Sequence, residues 1–471
     1  MNKRTTSFFI SISLIVIVAG LSFSCEKSVK EGEILITAIN PQLDIVASEL
    51  NKSVAFLEGA EIVMFDPAHP NNALLSVSKE FYSAAGPSIS FDAQKMLFSA
   101  QKLKGDSWQI YEMKLTDLKY KQLSDSKTNC YEPAYLPGNR IVYSKETMLQ
   151  NGDIGHALFV IDNENSTEER ITFSPGSYLS SKILHDGRLI TVSQQEFLDE
   201  GRPNLMVMRP DGSKEMRFYN STKTETKILS ANQAINGDIY LIESNNNDKA
   251  LLSSITYANP LASRKDLTKN IRGDIISAHP MAEGSLLLCY KKLNDEHIGL
   301  YEFDPVQQQL VRTIYKNKEY TFVEAVQVSA RTRPKKIPSE VNIEEKTALL
   351  LCQDINFSGH PKKDDLALIE KAVSIELLGL EQSMGIVDVE QDGSVYLEVK
   401  ADTPFKIQTL DKNGNILYGP SSWINLRPNE RRACVGCHLG NEIVPENRQP
   451  LAVTKDPIQI PKVETLLAKT E

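Results

Sequence analysis

Between Glu430 and His438 the chain reads Glu-Arg-Arg-Ala-Cys-Val-Gly-Cys-His, and Cys434, Cys437 and His438 form a Cys-x-x-Cys-His set. Two thiols three residues apart on a tight turn can reach the two vinyl groups of one porphyrin as thioethers. The histidine directly after them then sits under the ring, where its imidazole binds iron. Gly436 leaves room for the backbone to pass close to the macrocycle. The competing chemistry is half of a zinc knuckle, but structural zinc takes four Cys or His ligands and no second Cys-x-x-Cys is present. The spacing therefore predicts a single haem c on Cys434 and Cys437, with His438 as the metal ligand. Around it, Trp423 and Tyr418 are aromatic candidates for a pocket wall, and Arg448 is a candidate partner for a propionate. Equally, both aromatics read as core and Arg448 as a solvated charge, because adjacency along the chain does not fix facing. Met384 and His360 are the nearest residue types for a distal ligand.

The elements that must position this motif begin with an address. Lys3 and Arg4 precede an apolar run from Phe8 to about Gly20, and Ser24 stands directly before Cys25. Residues 1–24 read as a lipoprotein-type signal peptide, with Cys25 as the lipidated N-terminus and 25–44 as a tether; an uncleaved membrane anchor is the other reading. Either way the expected location is exported and held at a membrane, facing the periplasm or the cell surface. A net charge of −9 with no basic run excludes a nucleic-acid binder. Cys130, Cys289 and Cys352 remain after the lipid and haem cysteines, so at most one disulfide is expected and buried thiols are the simpler reading.

From 45 to 330 short β runs alternate with turns. Gly138, Gly187, Gly237 and Gly284 recur every 47 to 50 residues, and each precedes an apolar run such as Arg140–Ser144 or Ser285–Tyr290. Self-similarity at this period indicates a β-propeller with one four-stranded blade per repeat, six-bladed by count with seven-bladed as the alternative. The wording of the repeats, Ser88-Ile89-Ser90-Phe91-Asp92 and Val207-Met208-Arg209-Pro210-Asp211-Gly212, resembles WD-repeat-like propellers of exported bacterial proteins. Its histidines are scattered; His279 and Tyr290 matter only if a propeller face packs over the haem.

Ala330 to Pro338 is basic and proline-punctuated and reads as an extended linker. Beyond it, Val395, Leu397 and Val399 alternate with polar residues, and Phe405–Leu410 faces Asn415–Tyr418 across Lys412-Asn413-Gly414. Residues 331–425 are expected to form a small antiparallel β-sandwich and 426–471 a C-terminal haem-binding segment, so the fold class is all-β throughout.

One resemblance is more specific. Gln391-Asp392-Gly393-Ser394, Glu398 to Pro404, Gln408 to Asp411, Ser422-Trp423 and Arg427 to His438 resemble, in order, the hydrazine synthase alpha subunit family. They match its middle domain and the haem segment after it. Arg331 to Pro338 and Cys352-Gln353-Asp354 resemble the family's entry to that domain. The resemblance implies haem chemistry on small nitrogen species and partner subunits. The family can ligate iron with a tyrosine shortly after the motif; here Leu439-Gly440-Asn441-Glu442 has none, which leaves His438 in that role. Three functions follow as expectations. The main one is electron transfer by a tethered c-type haem protein, with the propeller as docking platform for a redox partner protein. The second is a haem enzyme, an oxidoreductase acting on small nitrogen or oxygen species. The third is a non-catalytic binding lipoprotein with zinc or no metal at the motif. No nucleophile triad or phosphate loop supports hydrolysis or phosphoryl transfer.

Overall fold

The computed structural model describes residues 28–39, 58–149, 152–195, 203–220, 226–244, 250–357, 371–436 and 447–461. The signal sequence, Cys25, His360, Cys437 and His438 lie outside the described residues. Among the described residues the regular elements are all strands apart from one short 3-10 turn, Leu451–Thr454.

The first part is a β-propeller fold. Its described residues form six four-stranded antiparallel units. The second runs from Ser83–Ile89 to Tyr120–Gln122, the third from Cys130–Leu136 to Thr167–Arg170, and the fourth from Gly176–Ile183 to Met216–Tyr219. The fifth runs from Lys227–Gln233 to Lys265–Asp266, and the sixth from Gly273–Pro280 to Gln309–Tyr315. Units three and four are joined by a single parallel pair, His156 with Ser177. Gly138, Gly187, Gly237 and Gly284 each turn the first strand of a unit into the second at positive φ, which is why glycine marks the repeat. Ala93 makes the same turn in unit two at φ 54°, so that turn carries no glycine.

The first unit departs from expectation. Ile34–Ile39, in the stretch read as a tether, is a strand, and every one of its six residues is buried. It pairs on one side with Glu61–Phe65 and on the other with Thr321–Gln327, the last strand before the linker. A run of six residues with no polar face is stable only where both faces and both edges are covered, and this closure supplies all of them. The propeller therefore begins at Ile34, not near residue 45.

The innermost strand of every unit breaks register at a bulge. These bulges surround a cavity of about 100 Å³ lined by Glu132, Lys182, His279 and Glu324. Burial there, with Lys182 and Arg331 adding to it, pushes His279 down to about 3, so its imidazole is neutral at physiological pH. Tyr290 lies in the core between units five and six.

The linker is extended, as expected, but it is fastened to the propeller. The Arg331 guanidinium donates to the Ile89 carbonyl at 3.2 Å and lies over the Phe91 ring. Lys336 runs against Gly138, and the Lys335 carbonyl against Gly187. Asp211 then accepts from the Ser339 hydroxyl at 2.8 Å and the Glu340 backbone N–H at 3.0 Å.

The middle domain is a sandwich of two four-stranded sheets around one apolar cluster that includes Leu350, Leu377, Leu397, Phe405 and Leu426. One sheet is antiparallel: Ser383–Asp388, Ser374–Leu378, Lys406–Leu410 and Ile416–Tyr418, the last pair being the expected hairpin. In the other, Thr347–Cys352 and Val395–Lys400 pair antiparallel. They are flanked by Arg431–Cys434 and Ile458–Ile460, which both pair parallel to their neighbours. The segment after residue 425 thus supplies two strands of the sandwich and is not a separate appendage.

Candidate functional site

Cys434 is the last residue of the strand Arg431–Cys434, directly opposite Cys352 on its parallel neighbour. Arg432 and Cys434 face inward on this strand, and Arg431 and Ala433 outward. Burial pushes the Cys434 thiol up from its ordinary value, with nearby Arg432 acting against it. At Cys434 the chain leaves the sheet: its carbonyl accepts from Gln353 N–H at 2.9 Å, and Val435 is exposed. Gly436 then passes tightly against the turn that follows Cys352. A Cβ at that position would sit 2.6 Å from the Phe357 carbonyl oxygen and 2.8 Å from that of Asp354, so only glycine fits without the turn moving. The turn is held by Asn356 and Phe357 N–H bonds to Asp354 and by the Ile355 N–H bond to Gly393.

The described chain resumes at residue 447 beside the same turn. Arg448 forms an ion pair with Asp392, donates to the Gln353 carbonyl at 3.3 Å and lies 3.9 Å from the Asp354 carboxylate. Asp392 also accepts from Leu451 N–H at 2.8 Å, and Ser394 from Ala452 N–H at 2.9 Å. Burial alone would raise the Asp392 carboxyl. The hydrogen bonds from Ser394 and Leu451, with Arg448, outweigh it and hold the group at about 2. Both flanks of the segment that carries Cys437 and His438 are therefore anchored on one patch, built from Gln353, Asp354 and Asp392.

The candidate pocket residues Trp423, Tyr418 and Arg448 sit at different places. Arg448 reaches the same Gln353–Asp354 turn that Cys434 and Gly436 touch, with its charge already met by Asp392. Trp423 is buried, carries Lys406 over its ring at 4.5 Å, and lines a cleft of about 470 Å³ between the middle domain and propeller units three and four. That cleft is also lined by Met148, His156, Phe173 and Asp402. Asp402 follows Lys400, which pairs with Thr347, whereas Cys434 pairs with Cys352 at the other end of that strand. Five residue steps separate the two ends, on the order of 17 Å. Tyr418 is exposed, and Met384 is buried in the sandwich core. His279 and Tyr290 belong to the propeller channel and core described above.

Sequence reasoning passed over the residues that fix the domains against each other. Arg427 is 2% exposed and reaches Asp402 at 3.1 Å, the Arg170 carbonyl at 3.1 Å, Glu169 and the Phe173 ring. Glu430, wholly buried, accepts from the backbone N–H groups of Arg427 and Lys214, both at 2.9 Å, and from the Arg432 guanidinium. Four residues after Glu430 comes Cys434, so the strand bearing the first thiol is pinned at its base to the propeller. The only hint in sequence was the charge density of Arg427 to Arg432, which reads as solvated surface until the partners are seen.

A haem c would take Cys434 as one of its two anchors, and the described residues fit that: a thiol at a strand end, then a glycine whose backbone lies flush against a turn. Among the described residues no group of three or more His, Cys, Asp and Glu could hold a metal ion.

Residues 317–439 match the family described as the hydrazine synthase alpha subunit middle domain. The hydrazine synthase subunit alpha of Kuenenia stuttgartiensis is 22% identical over an alignment covering 82% of this chain. That alignment covers 63% of the relative, so the chain spans less than two thirds of its length. In the solved Kuenenia stuttgartiensis hydrazine synthase the same fold recurs with a TM-score of 0.79 at 17% identity, covering 91% of this chain and 72% of that one. TolB from Acinetobacter baumannii superposes with a TM-score of 0.47 at 15% identity, covering 62% of this chain and 66% of that one.

Proposed function

We propose that this hydrazine synthase alpha-like chain is a haem enzyme acting on small nitrogen species, with one haem c attached at Cys434 and Cys437 and His438 as iron ligand. The observation that carries the reading is the anchored motif. Cys434 stands at the end of a sandwich strand and Gly436 is packed where no side chain fits. All of this falls in the matched segment. The relative is by name a synthase of an N–N bonded product and a subunit of an assembly. A similar reaction class and partner subunits are accordingly proposed here.

A bound haem supplies an iron centre at which small nitrogen ligands bind and exchange electrons. The chain's own residues would hold it: Cys434 and Cys437 as thioether anchors and His438 as iron ligand, with Gly436 letting the backbone come close. Arg448 neutralises Asp392 and keeps the returning chain in place. Lipidation at Cys25 and export are proposed with the same reading, since cysteine–haem thioethers are formed outside the cytoplasm.

The test is intact mass with a pyridine haemochrome spectrum, after expression with haem-attachment machinery. One covalent haem per chain is expected, lost when Cys434 and Cys437 are both changed to Ser. Bare polypeptide mass with one bound zinc would reject the reading. Iron coordination then separates chemistry from electron transfer: an open position that takes up nitric oxide supports the enzyme, and six-coordinate low-spin iron supports the carrier.

A further inference from the structure

Cys352 and Cys434 are directly paired on adjacent parallel strands, so their Cα atoms are about 4.8 Å apart, inside the window that a disulfide spans. Register partners project to the same side of a sheet, and the burial alternation says which side. Ala348, Leu350 and Cys352 are the buried positions of their strand, and Arg432 and Cys434 are the less exposed positions of theirs. Both sulfurs accordingly belong to the one apolar cluster of the sandwich, Cys352 within it and Cys434 packed against it.

We propose that Cys352 and Cys434 form a cross-strand disulfide before haem attachment, so that oxidation of this pair withholds the first attachment thiol. The step is thiol–disulfide exchange with a disulfide-bearing oxidant. Two S–H bonds break and one S–S bond forms, and the two electrons and two protons leave on the oxidant as two thiols. Attachment needs the reverse state, because the Cys434 thiol adds its S–H across a vinyl double bond with no net electron change. Cys352 lies 82 positions before Cys434 and belongs to no motif of its own. The sheet alone brings it to the thiol that matters. The withholding role rests on the haem reading above; the disulfide does not.

The experiment takes the full chain made without haem-attachment machinery, incubates it with oxidised glutathione, blocks remaining thiols with N-ethylmaleimide and maps cross-linked peptides by mass spectrometry. A Cys352–Cys434 cross-link removed by dithiothreitol is expected. A Cys434–Cys437 cross-link as the sole product, or alkylation of both Cys352 and Cys434, would overturn the proposal. This arm uses the unmodified chain, so it does not depend on a variant folding. In the second arm Cys352→Ser and Cys352→Ala are expressed with the attachment machinery under oxidising growth, and covalent haem per chain is read by stain after denaturing electrophoresis. A rise of twofold or more in either variant supports withholding; unchanged loading in both, with native circular dichroism, overturns it. A mapped cross-link in a chain that never carries covalent haem would sink the haem reading while leaving the disulfide standing.

Discussion

Glu430 and Lys214 belong to different domains, and the Lys214 backbone N–H donates to the Glu430 carboxylate at 2.9 Å in a setting where Glu430 is wholly buried. The same carboxylate takes two bonds from the Arg432 guanidinium. Glu430→Ala would strand a mostly covered cation and two backbone N–H groups, an expected loss of about 3 kcal/mol in denaturant unfolding. Lys214→Ala keeps the backbone donor and removes a part-exposed ion pair with Glu340 and the ammonium's bond to the Arg431 carbonyl, so about 1 to 2 kcal/mol is expected. Equal losses in the two variants would show that the side chain, not the backbone bond, holds the domains.

Gly436→Ala places a methyl group 2.6 Å from the Phe357 carbonyl oxygen. The turn after Cys352 must shift, and the path from Cys434 to Cys437 shifts with it. Covalent haem per chain is expected to fall severalfold while the far-ultraviolet circular dichroism of the sheets stays unchanged. Full loading in the variant would mean that the close approach is incidental.

Asp392 sets an acid limit. Its folded value of about 2 lies below the 3.8 of an unperturbed carboxyl, so the unfolded chain binds the proton more readily. The stabilisation is complete above about pH 4 and fades as pH falls toward 2. Unfolding midpoints measured from pH 6 down to pH 2 should drop for the native chain and drop less steeply for Asp392→Asn.

Cys130 and Cys289 should be inert. Burial pushes their thiols up to about 11 and about 12. Iodoacetamide at pH 8 on the folded chain is expected to leave both unlabelled, with labelling only after denaturant. Rapid labelling of either under native conditions would contradict their packing.

The propeller was legible because its turns need positive φ and glycine meets that need at a regular interval. The hairpin over Lys412-Asn413-Gly414 and the alternation in Val395–Lys400 were legible for the same local reasons. Ile34–Ile39 was not, because a run broken only by Thr37 after a leader carries no period to distinguish a strand from a spacer. Arg431–Cys434 was not, because two arginines on an edge strand mimic a loop until their partners are known. In the site, the Cys-x-x-Cys-His set was readable from spacing alone. The separation of Trp423 from Arg448 was not, because which end of a sheet a residue reaches is decided by strand pairing across the domain. Parallel pairing of Cys352 with Cys434 leaves no local trace at all.

The closure of the propeller by Ile34–Ile39 and Thr321–Gln327 also fixes an order of events during synthesis. The two strands are separated by roughly 290 residues, so the ring stays open until about seven tenths of the chain has emerged, and such distant pairing is slow. Through that interval the apolar Ile34–Ile39 has no mate and is a hazard for sticking to other nascent chains. Just beyond the closing strand, Ala330 and Arg331 make the linker's first contacts, with Glu31 and with the Ile89 carbonyl, and the middle domain follows. A ribosome that stops before residue 321 would leave an open ring, which makes early truncations of this protein natural substrates for chaperones and proteases.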